Sequence, residues 1–140
     1  MLRPGGRLVF NVWDRLERNV VPDAIQGIMT KFFPDRPPSP NLVSFSYCDP
    51  ERIRLDLIKA GFGEVAIEFI AERNRSPSLH DSVYAYIRGS SFGQEIETRG
   101  SEWLPRVVEA TTAALIARFG DGPSARAYQV VLISAVRPFH

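Results

Sequence analysis

The residues best placed for chemistry sit at the end of one short apolar run. In Arg7–Trp13, RLVFNVW, the run closes on Asn11, Trp13 and then Asp14. If it is a strand of an open α/β sheet, these three lie at its carboxyl end, where such sheets bind ligands. Four aromatics further on, Phe32, Phe33, Phe45 and Tyr47, are candidates to line a small-molecule pocket under a lid, with Phe32 and Tyr47 the leading pair. Each has a structural alternative, and the sequence favours it. Trp13 covers the sheet end, Asp14 caps the segment after it, and the aromatics form the lid's own small core, as aromatics at helical spacing usually do. His80 is a conceivable proton acceptor, but its one clear local companion is Asp81, and a surface place at a helix start is the stronger reading. Cys48 is the single cysteine; without a neighbouring His or basic cluster to lower its pKa, it is not expected to act as a nucleophile. No spacing of His, Cys, Asp and Glu suggests a metal. The sequence therefore assigns no catalytic, cofactor-binding or metal-ligating residue, and leaves a set of pocket candidates.

Those candidates need a frame, and the composition supports one. The chain has 140 residues, 44% hydrophobic and 24% charged, in the range of an ordinary globular domain. Seventeen basic against sixteen acidic residues give a net charge of +1, which argues against a nucleic-acid binder with its basic excess. No apolar run reaches the roughly 18 residues of a membrane span, and Met1-Leu-Arg-Pro-Gly-Gly does not read as a secretory signal. One domain over 1–140, cytoplasmic, is the expectation.

The pattern along the chain is α/β. Pro4-Gly5-Gly6 signals a turn. Arg7–Trp13 lacks strict alternation, which predicts a strand covered on both faces. Pro22 and Asp23 open a helix in which Ile25, Ile28, Met29 and Phe32 recur at helical spacing; Pro34, Pro37, Pro38 and Pro40 end it. Asn41 to Tyr47, with Leu42, Val43 and Phe45, reads as irregular or briefly extended. Asp49-Pro50-Glu51 is a helix start with Asp as N-cap, Ile53, Leu57 and Ile58 give its buried face, and Gly61-Phe62 fits a left-handed C-terminal cap. Val65–Ile70 follows as a strand. Arg73–Arg99 is polar and mostly helical, with Ser78 and Asp81 resembling a capping box and Val83, Tyr84 and Ile87 an apolar side. Ser101 caps a clearer helix, Trp103–Phe119, stopped by Gly120 and Pro123. Ala127–Val136 reads as a central, fully buried strand.

Two blocks carry a family resemblance. LRPGGRLVFNVWD, Leu2 to Asp14, resembles the turn and fifth strand of class I S-adenosylmethionine-dependent methyltransferases. DPERIRLDLIKAGFGEVAIE, Asp49 to Glu68, resembles that family's last helix and sixth strand, with its "L-x-x-A-G-F-x-x-V" ending. The resemblance implies a partial Rossmann-like sheet in which the terminal strand is the seventh, central and antiparallel to both neighbours, with residues 14–48 and 73–100 as lid or insertion segments. It implies a parent activity of methyl transfer to a small molecule, with S-adenosylmethionine as cofactor of the full-length family. The family's cofactor site, however, is built on its first four strands, beginning with a glycine-rich strand-to-helix loop. Gly5-Gly6 precedes a strand instead, so no cofactor is expected for this chain alone. The chain thus resembles the C-terminal half of such an enzyme, inactive by itself, completed by a separate N-terminal half or shortened by a misplaced gene start. The alternative is a non-enzymatic, self-associating binding module that uses the aromatic lid region. It would form a homodimer through the open edge of strand 7–13, with no nucleic acid or membrane as partner.

Overall fold

The computed structural model describes residues 2–38 and 43–139; the predictions for Pro40 and Leu42 fall outside them. Three strands form one sheet in the order β1-β3-β2, where β1 is Arg7–Trp13, β2 is Gly63–Arg73 and β3 is Ala127–Val136. β3 runs antiparallel to both neighbours, pairing Phe10 and Ile67 to either side of Ile133, and Val12 and Phe69 to either side of Val131. The ladder continues at its end: the Gly5 N–H donates to the Arg137 carbonyl at 2.7 Å and the Arg137 N–H to the Gly6 carbonyl at 2.9 Å. Gly5 has φ +77°, and a Cβ there would meet the Phe139 ring at 2.6 Å, so both the turn and the packing require glycine.

Five α-helices occur among the described residues: α1 (Val20–Phe32), α2 (Pro50–Lys59), α3 (Leu79–Arg88), α4 (Ser91–Arg99) and α5 (Trp103–Phe119). The mixed α/β class is as the sequence predicts. So is the left-handed Gly61 at the end of α2, with φ +88° and the Phe62 N–H returning to the Leu57 carbonyl at 3.0 Å. The Asp49 side chain caps α2 by accepting from the Glu51 N–H at 3.0 Å, and Ser78 caps α3 by accepting from the Asp81 N–H, also at 3.0 Å.

Two hydrophobic cores result. One lies between α2 and the sheet, where Ile53 and Leu57 pack on Val131, Ile133 and Ala135, flanked by Leu8, Phe10, Val12, Val65 and Ile67. The other lies within the helical layer and joins α1, α3, α4 and α5 through Ile25, Met29, Val83, Ile87, Phe92, Ile96, Val107, Val108 and Leu115. The predicted segments 14–48 and 73–100 therefore share one core with α5.

Several expectations are corrected. β1 is not covered on both faces: Leu8, Phe10 and Val12 turn towards α2, while Arg7, Val9, Asn11 and Trp13 are exposed. β3 is central but not fully buried, because α2 packs on Val131, Ile133 and Ala135, while Val130, Leu132, Ser134 and Val136 remain half-buried. A strand's side chains alternate between faces, and α2 covers one face only. The run of valines and leucines thus conceals a one-sided sheet. β2 is longer than the predicted Val65–Ile70. Ile58 and Tyr84 are exposed, since α2 and α3 each bury only a narrow stripe. The residue before α5 is Glu102, and no side chain caps that helix, so Ser101 does not serve as its cap.

Because α2 alone shields the inner face of the sheet, Ile53, fully buried there, is expected to be irreplaceable. Ile53→Ala should lower unfolding stability by about 2–4 kcal/mol in urea titrations, whereas Leu55→Ala on the exposed side of α2 should change it little.

Candidate ligand pocket

The carboxyl ends of β1 and β2 and the start of β3 meet α1 and α3 around a hollow of about 530 Å³, a size that suits a small organic molecule. Trp13, Phe45, Tyr86 and Tyr128 give it aromatic walls. Trp13 stands nearly perpendicular to Tyr128, with ring centroids 6.0 Å apart, and lies 5.9 Å from Phe45. These are the edge-to-face and tilted arrangements that aromatic quadrupoles favour. Val21, Pro22 and Ala85 add apolar surface from α1 and α3, and Asn19, Asn74 and Ser82 add polar groups.

The charged lining is unequal. Arg73, Arg75 and Arg126 contribute three guanidinium groups against the single carboxylate of Glu72. Arg126, mostly buried, is held from outside: it donates to the Ser76 carbonyl at 3.2 Å and to the Asp121 carbonyl and carboxylate at 3.3 and 3.4 Å. Its Nε is buried without a hydrogen-bond partner among the described residues. Arg73 and Arg75 are exposed, and the ion pairs of the described residues involve neither.

A compact set of hydrogen bonds holds the wall next to β1. Asn19, buried, donates to the carbonyls of Asp14 and Arg15 at 3.2 and 3.1 Å and accepts from the Gln129 N–H at 3.2 Å. The Asp14 carboxylate accepts from the Gln129 side chain at 2.7 Å and from the Arg15 N–H at 2.8 Å. These bonds tie β1, the turn after it and β3 together, so the set positions the chain.

The sequence-predicted residues are thereby divided. Trp13 and Phe45 line the hollow. Asp14, one residue beyond Trp13, lines a separate hollow beside Cys48 and Phe69 and acts as a structural acceptor. Asn11 is exposed further back along β1, outside the hollow. Phe32 and Phe33 pack on Trp103 of α5 at 5.8 and 4.8 Å and line a second hollow, of about 740 Å³, with Glu95 and Arg99 of α4. Tyr47 is exposed and donates to the Asp56 carboxylate on α2 at 2.9 Å, outside the aromatic hollow. His80 sits at the exposed start of α3, 3.6 Å from Asp81. Sequence reasoning missed Tyr86, Tyr128 and the arginines. The available signal was Arg73-Asn74-Arg75, which reads as the start of a polar helical stretch and is instead the last residue of β2 and the connection after it.

No protein-family model matches the chain, and a search of curated proteins finds no match. No helix of the described residues is long and apolar enough to cross a membrane.

Cys48 is half-buried next to Asp14 and Asp49. Burial and then the two carboxylates push its thiol above the usual range. A raised pKa means less thiolate at neutral pH. Alkylation by iodoacetamide should therefore lag that of a free cysteine, with its half-maximal rate above about pH 8.5. A half-maximal rate at or below that pH would contradict the assignment.

Proposed function

We propose that this chain is the acceptor-binding, C-terminal portion of a class I S-adenosylmethionine-dependent methyltransferase acting on a small molecule. The observation that carries the reading is the strand order. A terminal strand inserted between two others and antiparallel to both, with the "A-G-F" helix feeding one edge strand and the "P-G-G" turn feeding the other, is the arrangement expected of that family's last three strands. The aromatic hollow at the carboxyl ends of β1 and β2 supports it further, since methyl transfer depends on positioning and desolvation of the acceptor more than on acid–base groups. In this reading Trp13, Phe45 and Tyr128 orient a flat acceptor and exclude water.

The described residues do not fit the cofactor. Its binding needs a glycine-rich loop between the end of a strand and the start of a helix. The connections 14–19 and 74–78 contain no glycine, and Gly5 and Gly6 are used in a turn closed on Arg137 and Phe139. No step of methyl transfer is assigned to these residues, and the methyl donor has to be held elsewhere. Isothermal titration of the 140-residue chain with S-adenosylmethionine should give no binding heat; micromolar affinity would overturn the reading.

One observation favours a second reading, a self-associating module. β1 is an edge strand, and its Val9 and Trp13 lie exposed on the face that α2 does not cover. Unpaired strand edges of this kind are templates for pairing with another chain. Light scattering should then report a dimer that Val9→Lys weakens, while a monomer at all concentrations would exclude it.

A further inference from the structure

We propose that the hollow between the strand ends and the helical layer binds an organic anion: a flat, apolar or aromatic body carrying a carboxylate or comparable acidic group. The inference deepens the acceptor-pocket reading and names its substrate class. It can be tested without S-adenosylmethionine, so the two stand or fall separately.

Two features of the hollow combine to define the ligand. Trp13, Phe45 and Tyr128 meet in tilted and perpendicular contacts that leave ring faces and edges for a planar guest. Beside them lie Arg73, the last residue of β2, and Arg75, two residues beyond it, neither ion-paired among the described residues, while Arg126 pairs with Asp121 and keeps a buried Nε without a hydrogen-bond partner. With Arg126 balanced by Asp121, Arg73 and Arg75 against Glu72 leave the lining one positive charge in excess. Guanidinium forks match carboxylate geometry, and a hydrogen bond to a charged acceptor is about twice as strong as a neutral one. A neutral aromatic would use the walls and leave the arginines idle. A cation would meet the wrong field. A bare inorganic anion would gain nothing from the rings. The molecule that uses both is an aromatic or similarly flat acid.

The test uses 2-naphthoate and its uncharged counterpart 2-naphthamide, titrated into the full chain and followed by calorimetry in low salt. The expected result is saturable 1:1 binding of the naphthoate, at least about tenfold tighter than the amide. Arg73→Gln/Arg75→Gln, at two exposed positions, should abolish that preference while leaving far-ultraviolet circular dichroism and the amide's affinity unchanged. Trp13→Leu should weaken both probes together. Equal affinities for the two probes, no saturable binding of naphthoate, or an acid preference that survives in the double arginine variant would each overturn the proposal.

Discussion

The hydrogen bonds that the buried side chains of Asp14 and Asn19 make with each other's segments and with Gln129 are the constraint on which the rest of the molecule depends. They tie the end of β1 and the start of α1 to the start of β3, at the place where the sheet's core gives way to the helical core. Neither core reaches the other through apolar packing alone: one is closed by α2 on the sheet's inner face, the other by four helices among themselves. A buried amide left without partners costs more than a typical hydrogen bond contributes, so the join is specific as well as stabilising. The hollow lies alongside this join, and its wall of Trp13 and Tyr128 stands where the join holds β1 against β3.

The sheet's one-sidedness has the same origin, a small number of elements. β3 is paired on both edges and packed by α2 on one face, which leaves Val130, Leu132, Val9 and Trp13 on a face without a covering helix. At its open end that face runs into the hollow, where the aromatic residues are partly shielded by α1, α3 and Phe45. Apolar surface that is only half-buried is where a flat ligand gains most, because binding removes it from water.

Much of the fold was legible in local signals. Asp49-Pro50 and Ser78 cap the helices they announce, Gly61 turns left-handed where the apolar stripe ends, and the terminal apolar run is the middle strand. The features that were not legible depend on neighbours. RLVFNVW and AYQVVLISAV contain apolar residues at both parities, so composition reads as double burial, whereas burial is decided by how many helices cover the sheet. Asn11, Trp13 and Asp14 are close in sequence, yet the pleat sends Trp13 to the hollow and Asp14 to a hydrogen-bond set on the other side. Phe32 and Tyr47 were equally plausible as pocket residues; one packs on Trp103 beside a second hollow, the other is captured by Asp56. Arg73 and Arg75 were hidden because a basic pair near a helical stretch looks like a solvated face, and only the length of β2 brings them to the hollow with Arg126 from far along the chain.

In the proposed reading, ligand binding is concentrated in this one hollow. The most direct measurement is an amide-resolved nuclear magnetic resonance spectrum recorded as 2-naphthoate is added. The account expects the shifts to gather at the Trp13 indole N–H and at the amides of Asn74, Ala127 and Tyr128, with Phe33 and Arg99 unmoved. Shifts centred on Phe33 and Arg99, or spread along Val9, Leu132 and Val136 on the open sheet face, would contradict it.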